Sequence, residues 1–355
     1  MSRARIARGN GKNTLSGTFT EKATSSDSPS PDSSSRRAFL AAAAGLISLT
    51  QLPACARREP LLRIATNPWI GYESLYLARE LGLIDNAAIR LVELPSNSDS
   101  LQALVAGTVE GAGLTLDEVL SARAEGMDLK VVAIFDFSAG ADVLLARPGI
   151  ERLENLAGRR IGLEETALGA LMLGAVLKTA RLPASAVTKI HLTFDQHRAA
   201  FESGQVDAII TFDPVTSQLE SDGARRLFDS RAIPGQIVDV LAVRSEILAS
   251  GRENLTRLIS AHFQALAHLR EQPDDAARRI APQMEITPEA LLAAYNGLEL
   301  PDLNANRRWF AGTPSPMEKN AGAIARTMLE AGLVSKEVSV TGLFDGRFLM
   351  EGEWS

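Results

Sequence analysis

One cysteine stands in the 355 residues of this chain, and none follows Cys55. Internal disulfides and thiolate metal sites are therefore excluded from everything downstream of it. Histidine is nearly as scarce. The four, His191, His197, His262 and His268, form no closely spaced ligand set, so no structural metal and no cofactor is expected. Positive charge is short as well. The chain has 37 Lys and Arg against 43 Asp and Glu, and seven of the bases but only three of the acids precede residue 56. The remainder carries a net charge of about −10. Phosphate recognition needs clustered Lys and Arg, so nucleic acid is not expected as a partner. Catalytic patterns are missing too. No Ser/His/Asp order stands out, and the glycines Gly107, Gly111 and Gly113 lack dinucleotide spacing and precede their strand. Asp195 beside His197 reads as a helix start next to a surface histidine. An enzyme is therefore not expected.

A secretory pattern is present at the start. Arg36 and Arg37 lead an apolar run over 38–52 that ends in Leu52-Pro53-Ala54-Cys55. Positive residues, a short apolar core and small residues before a break make an export signal. A membrane anchor is the alternative, but the run is shorter than the roughly 20 apolar residues that span a bilayer. Ser35-Arg36-Arg37-Ala38-Phe39-Leu40 resembles a twin-arginine signal. Leu52 to Cys55 resembles the site where bacterial lipoproteins are cleaved and lipidated, although Pro53 departs from its usual form. Residues 1–35 read as a disordered leader, and 36–55 as the signal ending at a lipidated Cys55. An extracytoplasmic protein tethered to a membrane is expected.

From residue 61 short apolar runs alternate with amphipathic stretches, as in an α/β fold. Strands are expected over 61–65, 89–93, 111–115 and 129–135, then over 141–146, 160–163, 188–193, 207–211 and 237–243. Helices are expected over 72–81, 98–106, 117–125, 167–179 and 196–202, from 245 through 279, and over 288–295 and 316–331. Two α/β series in succession predict two similar lobes. The first lobe takes 60–142 and 242–332, the second 143–241, and 333–355 forms a tail.

The mature chain resembles the bacterial substrate-binding proteins of the nitrate, taurine and aliphatic-sulfonate transporters, the NMT1/THI5-like group. The resemblance rests on Pro68-Trp69-Ile70-Gly71-Tyr72 and Leu77 to Leu83, and on Gly107 to Gly113 with Thr115. It continues through Leu156 to Gly162, Phe201 to Ala208, and Phe212-Asp213-Pro214. It implies a two-lobed periplasmic-binding-protein fold of type II, each lobe a mainly parallel sheet flanked by helices. It also implies a monomer that closes on a small molecule between the lobes, by hinge motion, and docks on an ABC permease with its ATPase. A ligand-binding partner of a membrane sensor is the alternative function. An enzyme like the thiamine-pyrimidine synthases is a weaker one, because the mature chain lacks their cysteine-rich segment.

Ligands of α/β sheets sit at the carboxyl ends of strands. Trp69 and Tyr72 follow the first strand there, as ligand cover or as core. Thr115 and Asp117 stand at a strand-to-helix joint, where capping and ligand contact are both open. Ser138 and Asp142, with Asp136 nearby, mark the exit from the first lobe. Glu164 and Thr166 open a helix of the second, and Phe212 and Asp213 follow a later strand. Such carboxylates also serve as helix-dipole partners. Acids outnumber Arg in these loops, so the ligand is expected to bear an amine, an amidine or several N–H donors, with an anionic end allowed beside them.

Overall fold

The computed structural model describes residues 59–350 and the lone position Thr18. Arg36, Arg37 and Cys55, with the leader and the signal, lie outside the described residues. Arg58–Ser355 is one compact unit. Its first strands are β1 (Leu62–Thr66), β2 (Ile89–Glu93), β3 (Gly111–Thr115) and β4 (Leu129–Ser138). A second series follows, β5 (Val143–Ala146), β6 (Arg160–Leu163), β7 (Thr188–His191), β8 (Ala208–Thr211) and β9 (Arg225–Asp229). The chain then returns as β10 (Val238–Arg244) and, much later, β11 (Leu298–Glu299).

These strands make two sheets, in the orders β11-β4-β10-β3-β1-β2 and β7-β6-β8-β5-β9. The central strands are apolar runs because helices cover both faces; β3 and β5 are buried at every position. The two-lobed α/β fold is as expected, but its sheets are mixed. The parallel ladders are β2-β1-β3 and β7-β6-β8, built from strand–helix–strand units. β4, β5, β9 and β10, which carry the chain between lobes, pair antiparallel. A strand that arrives from the other lobe has no helical crossover to reverse its direction, so it enters antiparallel.

The chain crosses between Ser138 and Val143 and returns between Asp229 and Val238. β10 pairs along its whole length with β3 or β4. The return thus precedes the expected boundary at 241/242. The stretch after 333 is tied to the first sheet rather than hanging as a tail. Val131 donates to Leu343 O at 2.8 Å, Asp345 N donates back to Val131 O, and Phe348 and Leu349 are buried. Asn306 pins the same strand, accepting from Ile134 N at 2.8 Å and donating to Ile134 O at 3.1 Å. The helix around it, Leu303–Phe310, was not expected, nor were Val215–Ser221, β9 and β11. Arg225-Arg226-Leu227-Phe228-Asp229 has too few apolar residues to read as a strand, and pairing with β5 makes it one.

Apolar clusters fill the inside of each lobe. A further cluster joins Trp69, Ile70 and Tyr72 from the first lobe to Phe194, Phe212 and Val215 from the second. Glu73, first residue of the helix Glu73–Glu80, is buried with Oε2 lacking a protein partner. Burial, then the nearby Glu93 carboxylate, raises it to about 8.

Candidate ligand cleft

Three polar residues lie in a row across the first sheet. Thr115 closes β3, Asp239 sits opposite it on β10, and Asp136 sits opposite Asp239 on β4. All three are buried. The segment after β1 covers the row with donors. Trp69 Nε1 donates to Asp136 Oδ2 at 3.1 Å, and the Tyr72 hydroxyl donates to Asp239 Oδ1 at 2.6 Å. Each carboxyl is thereby oriented through one oxygen, while Asp136 Oδ1 and Asp239 Oδ2 have no protein partner.

Two glycines permit this approach. A Cβ on Gly71 would stand 1.8 Å from Asp136 Oδ2, and one on Gly113 would stand 2.8 Å from the Tyr72 ring. The glycine run that ends in β3 is thus a flat wall for an aromatic ring, not a phosphate loop.

More acids gather beside the row. Glu118 accepts from Thr115 N at 3.0 Å and from Asn97 Nδ2 at 3.1 Å. Asp117 lies beside the Thr115 hydroxyl, and Asp142 Oδ2 lacks a partner within the protein. Burial is the main cause that lifts Asp142 to about 7. Burial also raises Asp117 and Glu118, with Asp117 acting further on Glu118. It raises Asp136, and it raises Asp239 well above the usual carboxylate range, Asp136 adding like-charge repulsion there. A carboxylate without water or counter-charge favours its neutral form.

The second lobe closes over this cluster. Trp69 meets Phe212 edge-on at 5.2 Å between ring centres, and Phe212 stacks on Phe194 at 4.3 Å. Glu164 Oε1 accepts from Ser98 N at 2.8 Å, so a carboxyl of the second lobe caps the helix Asn97–Val105 of the first. Between the lobes lies a cavity of about 10 Å³ walled by Asn67, Trp69, Tyr72, Asn97, Thr115, Asp142, Leu168, Phe212 and Asp239. That is about the volume of one water, so a larger solute enters only when the lobes part.

Of the residues expected at the site, Trp69, Tyr72, Thr115, Asp142 and Phe212 meet at this cavity. Asp117 is buried behind them. Glu164 is taken by the contact between lobes. Thr166 accepts from Gly169 N at 3.1 Å and caps its helix. Asp213 accepts from Ser217 N and Oγ at 2.9 and 2.6 Å, at the start of the helix Val215–Ser221 that follows it. Ser138 shares a 2.7 Å hydrogen bond with Ser230 and accepts from Asp142 N at 3.2 Å, which joins the two crossing segments. The sequence reading missed Asn97 and Asp239, and from the segment Asn67 to Tyr72 after β1 it singled out only Trp69 and Tyr72. Asp239 did carry a signal, as a lone acid inside the apolar run from Ile237 to Val243. His197, read as a surface residue, is buried, with Nδ1 3.1 Å from Thr211 Oγ1. Its helix packs back on β8, and this turns the ring inward.

The NMT1/THI5-like family model matches residues 71–276. This chain belongs to that family. It is 27% identical over 263 residues to an Escherichia coli (strain K12) protein named for binding aliphatic sulfonates, covering 72% of this chain and 81% of that one. Among solved structures, the MOPS-bound alkanesulfonate-binding protein SsuA of Xanthomonas axonopodis pv. citri superposes with a TM-score of 0.68 at 23% identity. That match covers 81% of this chain and 99% of the other. The desulfurization enzyme DSZB superposes with a TM-score of 0.57 at 19% identity, over 82% and 97% of the two chains. The family fold thus carries both receptors and an enzyme, and function must be argued from the cleft. Among the described residues no helix is long and apolar enough to cross a membrane, and no group of side chains is set to hold a metal ion.

Proposed function

We propose that this protein is an extracytoplasmic solute receptor. It captures a small polar molecule by closing its lobes and delivers it to the permease of an ABC importer. It acts without catalysis and as a monomer, tethered through a lipid on Cys55 after export directed by Arg36 and Arg37. One observation carries the reading. Residues from both lobes wall a single buried cavity, and several of their polar atoms have no partner within the protein. Such groups are costly to bury unless something pairs with them, and a solute held between the lobes would do so. The relatives named for substrate binding support the same reading. The solute carries N–H donors, because the atoms left unpaired are mostly carboxyl oxygens.

A thermal-shift screen of the purified chain tests it, with sulfonates, nitrate, amino acids, ureas, amidines, polyamines and pyrimidines. A solute that binds only the folded state stabilises it by about 2.7 kcal/mol at one hundred times its dissociation constant. A concentration-dependent rise confined to one class is expected. A flat result across the panel would remove the receptor reading.

A further inference from the structure

The walls of the cavity narrow the class of solute, on the premise that the protein is a receptor. Three acceptor-capable atoms of cavity-lining residues lack a partner within the protein. They are Asn97 Oδ1, Asp142 Oδ2 and Asp239 Oδ2. All three residues are at most 5% exposed. They are held in place from behind. Asn97 spends its amide N–H on Glu118, which leaves its carbonyl oxygen for the cavity. The Tyr72 hydroxyl fixes one oxygen of Asp239 and so frees the other. Asp142 is tied through its own N–H to Ser138.

No Lys, Arg or His lines the cavity. A sulfonate there would meet carboxyl oxygens and no counter-charge, in a site closed to water. A charge buried without a counter-charge is costly in such surroundings. The relatives named for sulfonate binding therefore do not predict the ligand of this chain. The anionic end that the sequence reading allowed has no partner either.

A cation with donors reverses each of these penalties. A primary ammonium offers three N–H groups that diverge from one point. An amidinium or a guanidinium sets its N–H groups in one plane that matches a carboxylate edge. The remaining walls, Trp69, Phe212 and Leu168, suit the flat face of such a head. We propose that this receptor takes a compact organic cation with a planar amidinium or guanidinium head, held by Asp142 and Asp239, and that it rejects sulfonates. Trp69 and Tyr72 act as positioning residues that orient Asp136 and Asp239.

Isothermal titration of the full chain at pH 8 tests this with methylguanidinium, acetamidinium, agmatine, methylammonium and ethanesulfonate. At least one planar cation is expected to bind ten-fold or more tightly than methylammonium, with no heat from ethanesulfonate. Asp142→Asn and Asp239→Asn are each expected to weaken the planar cation at least ten-fold. Circular dichroism and melting check that the variants fold, and the comparison among probes on the unaltered chain stands without them. Binding of ethanesulfonate with the cations silent overturns the ligand class and leaves the receptor reading intact. Silence of all five probes also overturns the class, and the wider thermal-shift panel then decides the receptor reading. Equal binding of methylammonium and the planar cations overturns the planar head.

Discussion

Raising the pH from 7 to 9 tests the buried acids directly. Asp142 is held up to about 7 and Glu73 to about 8, both chiefly by burial. A carboxyl whose pKa is raised by folding binds its proton more tightly in the folded state. Its stabilising contribution is complete below the unfolded pKa, near 4, and is lost as pH rises through the folded value. Between those two values each such group withdraws about 1.4 kcal/mol per pH unit, and above the folded value the loss levels off because both states are ionised. Relative to pH 7, Glu73 and Asp142 together withdraw roughly 2 kcal/mol by pH 9. Asp136, Glu118 and Asp239 are displaced in the same direction and add to this. His197 and His262 are lowered to about 4 and about 3, so they act below pH 6.5 and leave this window clear. At about 2–4 °C per kcal/mol for a chain of this size, the melting temperature should fall by roughly 5 °C or more. The two named acids differ in one respect. Parting the lobes returns Asp142 to water, whereas Glu73 stays inside the first lobe. Asp142→Asn should therefore stabilise the closed form most, and Glu73→Gln should raise the melting temperature at pH 9 in any form. Scanning calorimetry of the ligand-free chain at pH 7, 8 and 9 checks this. A melting temperature that stays level or climbs over that range would refute the reasoning.

Two substitutions probe the frame of the cleft. Gly71→Ala places a methyl on Asp136 Oδ2; overpacking of this kind costs about 1–3 kcal/mol, and the Trp69 hydrogen bond should be lost with it. Urea unfolding should show the lower midpoint and tryptophan fluorescence the altered ring, and an unchanged emission spectrum would contradict that account. Asn306→Leu leaves Ile134 N–H and C=O unpaired inside the first lobe, at about 1–3 kcal/mol for each buried group. A urea midpoint equal to that of the unaltered chain would show that β4 does not depend on it.

Much of the frame was legible from local chemistry. The strands of the parallel ladders and their helices were visible because apolar periodicity marks them and Gly82, Gly107 and Gly204 follow three of the helices. Thr166, expected at the ligand because it opens a helix, instead caps that helix. The strands that join the lobes were less clear. β9 carries Arg225, Arg226 and Asp229, and only β5 beside it makes it a strand. The same limit applied to the site. Trp69, Tyr72 and Thr115 could be named because they follow strands, while Glu164 and Asp213 looked equivalent to them by that rule. Contacts across the cleft and within one helix turn decided that those two carboxyls are engaged elsewhere.

By itself the sequence determined the alternation of strand and helix, the two-lobed order and the lack of any thiol after Cys55. These follow from residue type and spacing along one chain. Tertiary structure alone decided that Asp239 stands between Thr115 and Asp136, that Tyr72 and Trp69 orient those acids, and that Asn97 joins them. Those partners are far apart in sequence, Tyr72 and Asp239 by 167 residues. Only the register of β3, β10 and β4, set by packing across the whole sheet, brings them within hydrogen-bond reach. Burial then acts on the assembled group. Carboxyls that would be ordinary surface acids on separate loops become a closed acidic cleft once the lobes exclude water around them.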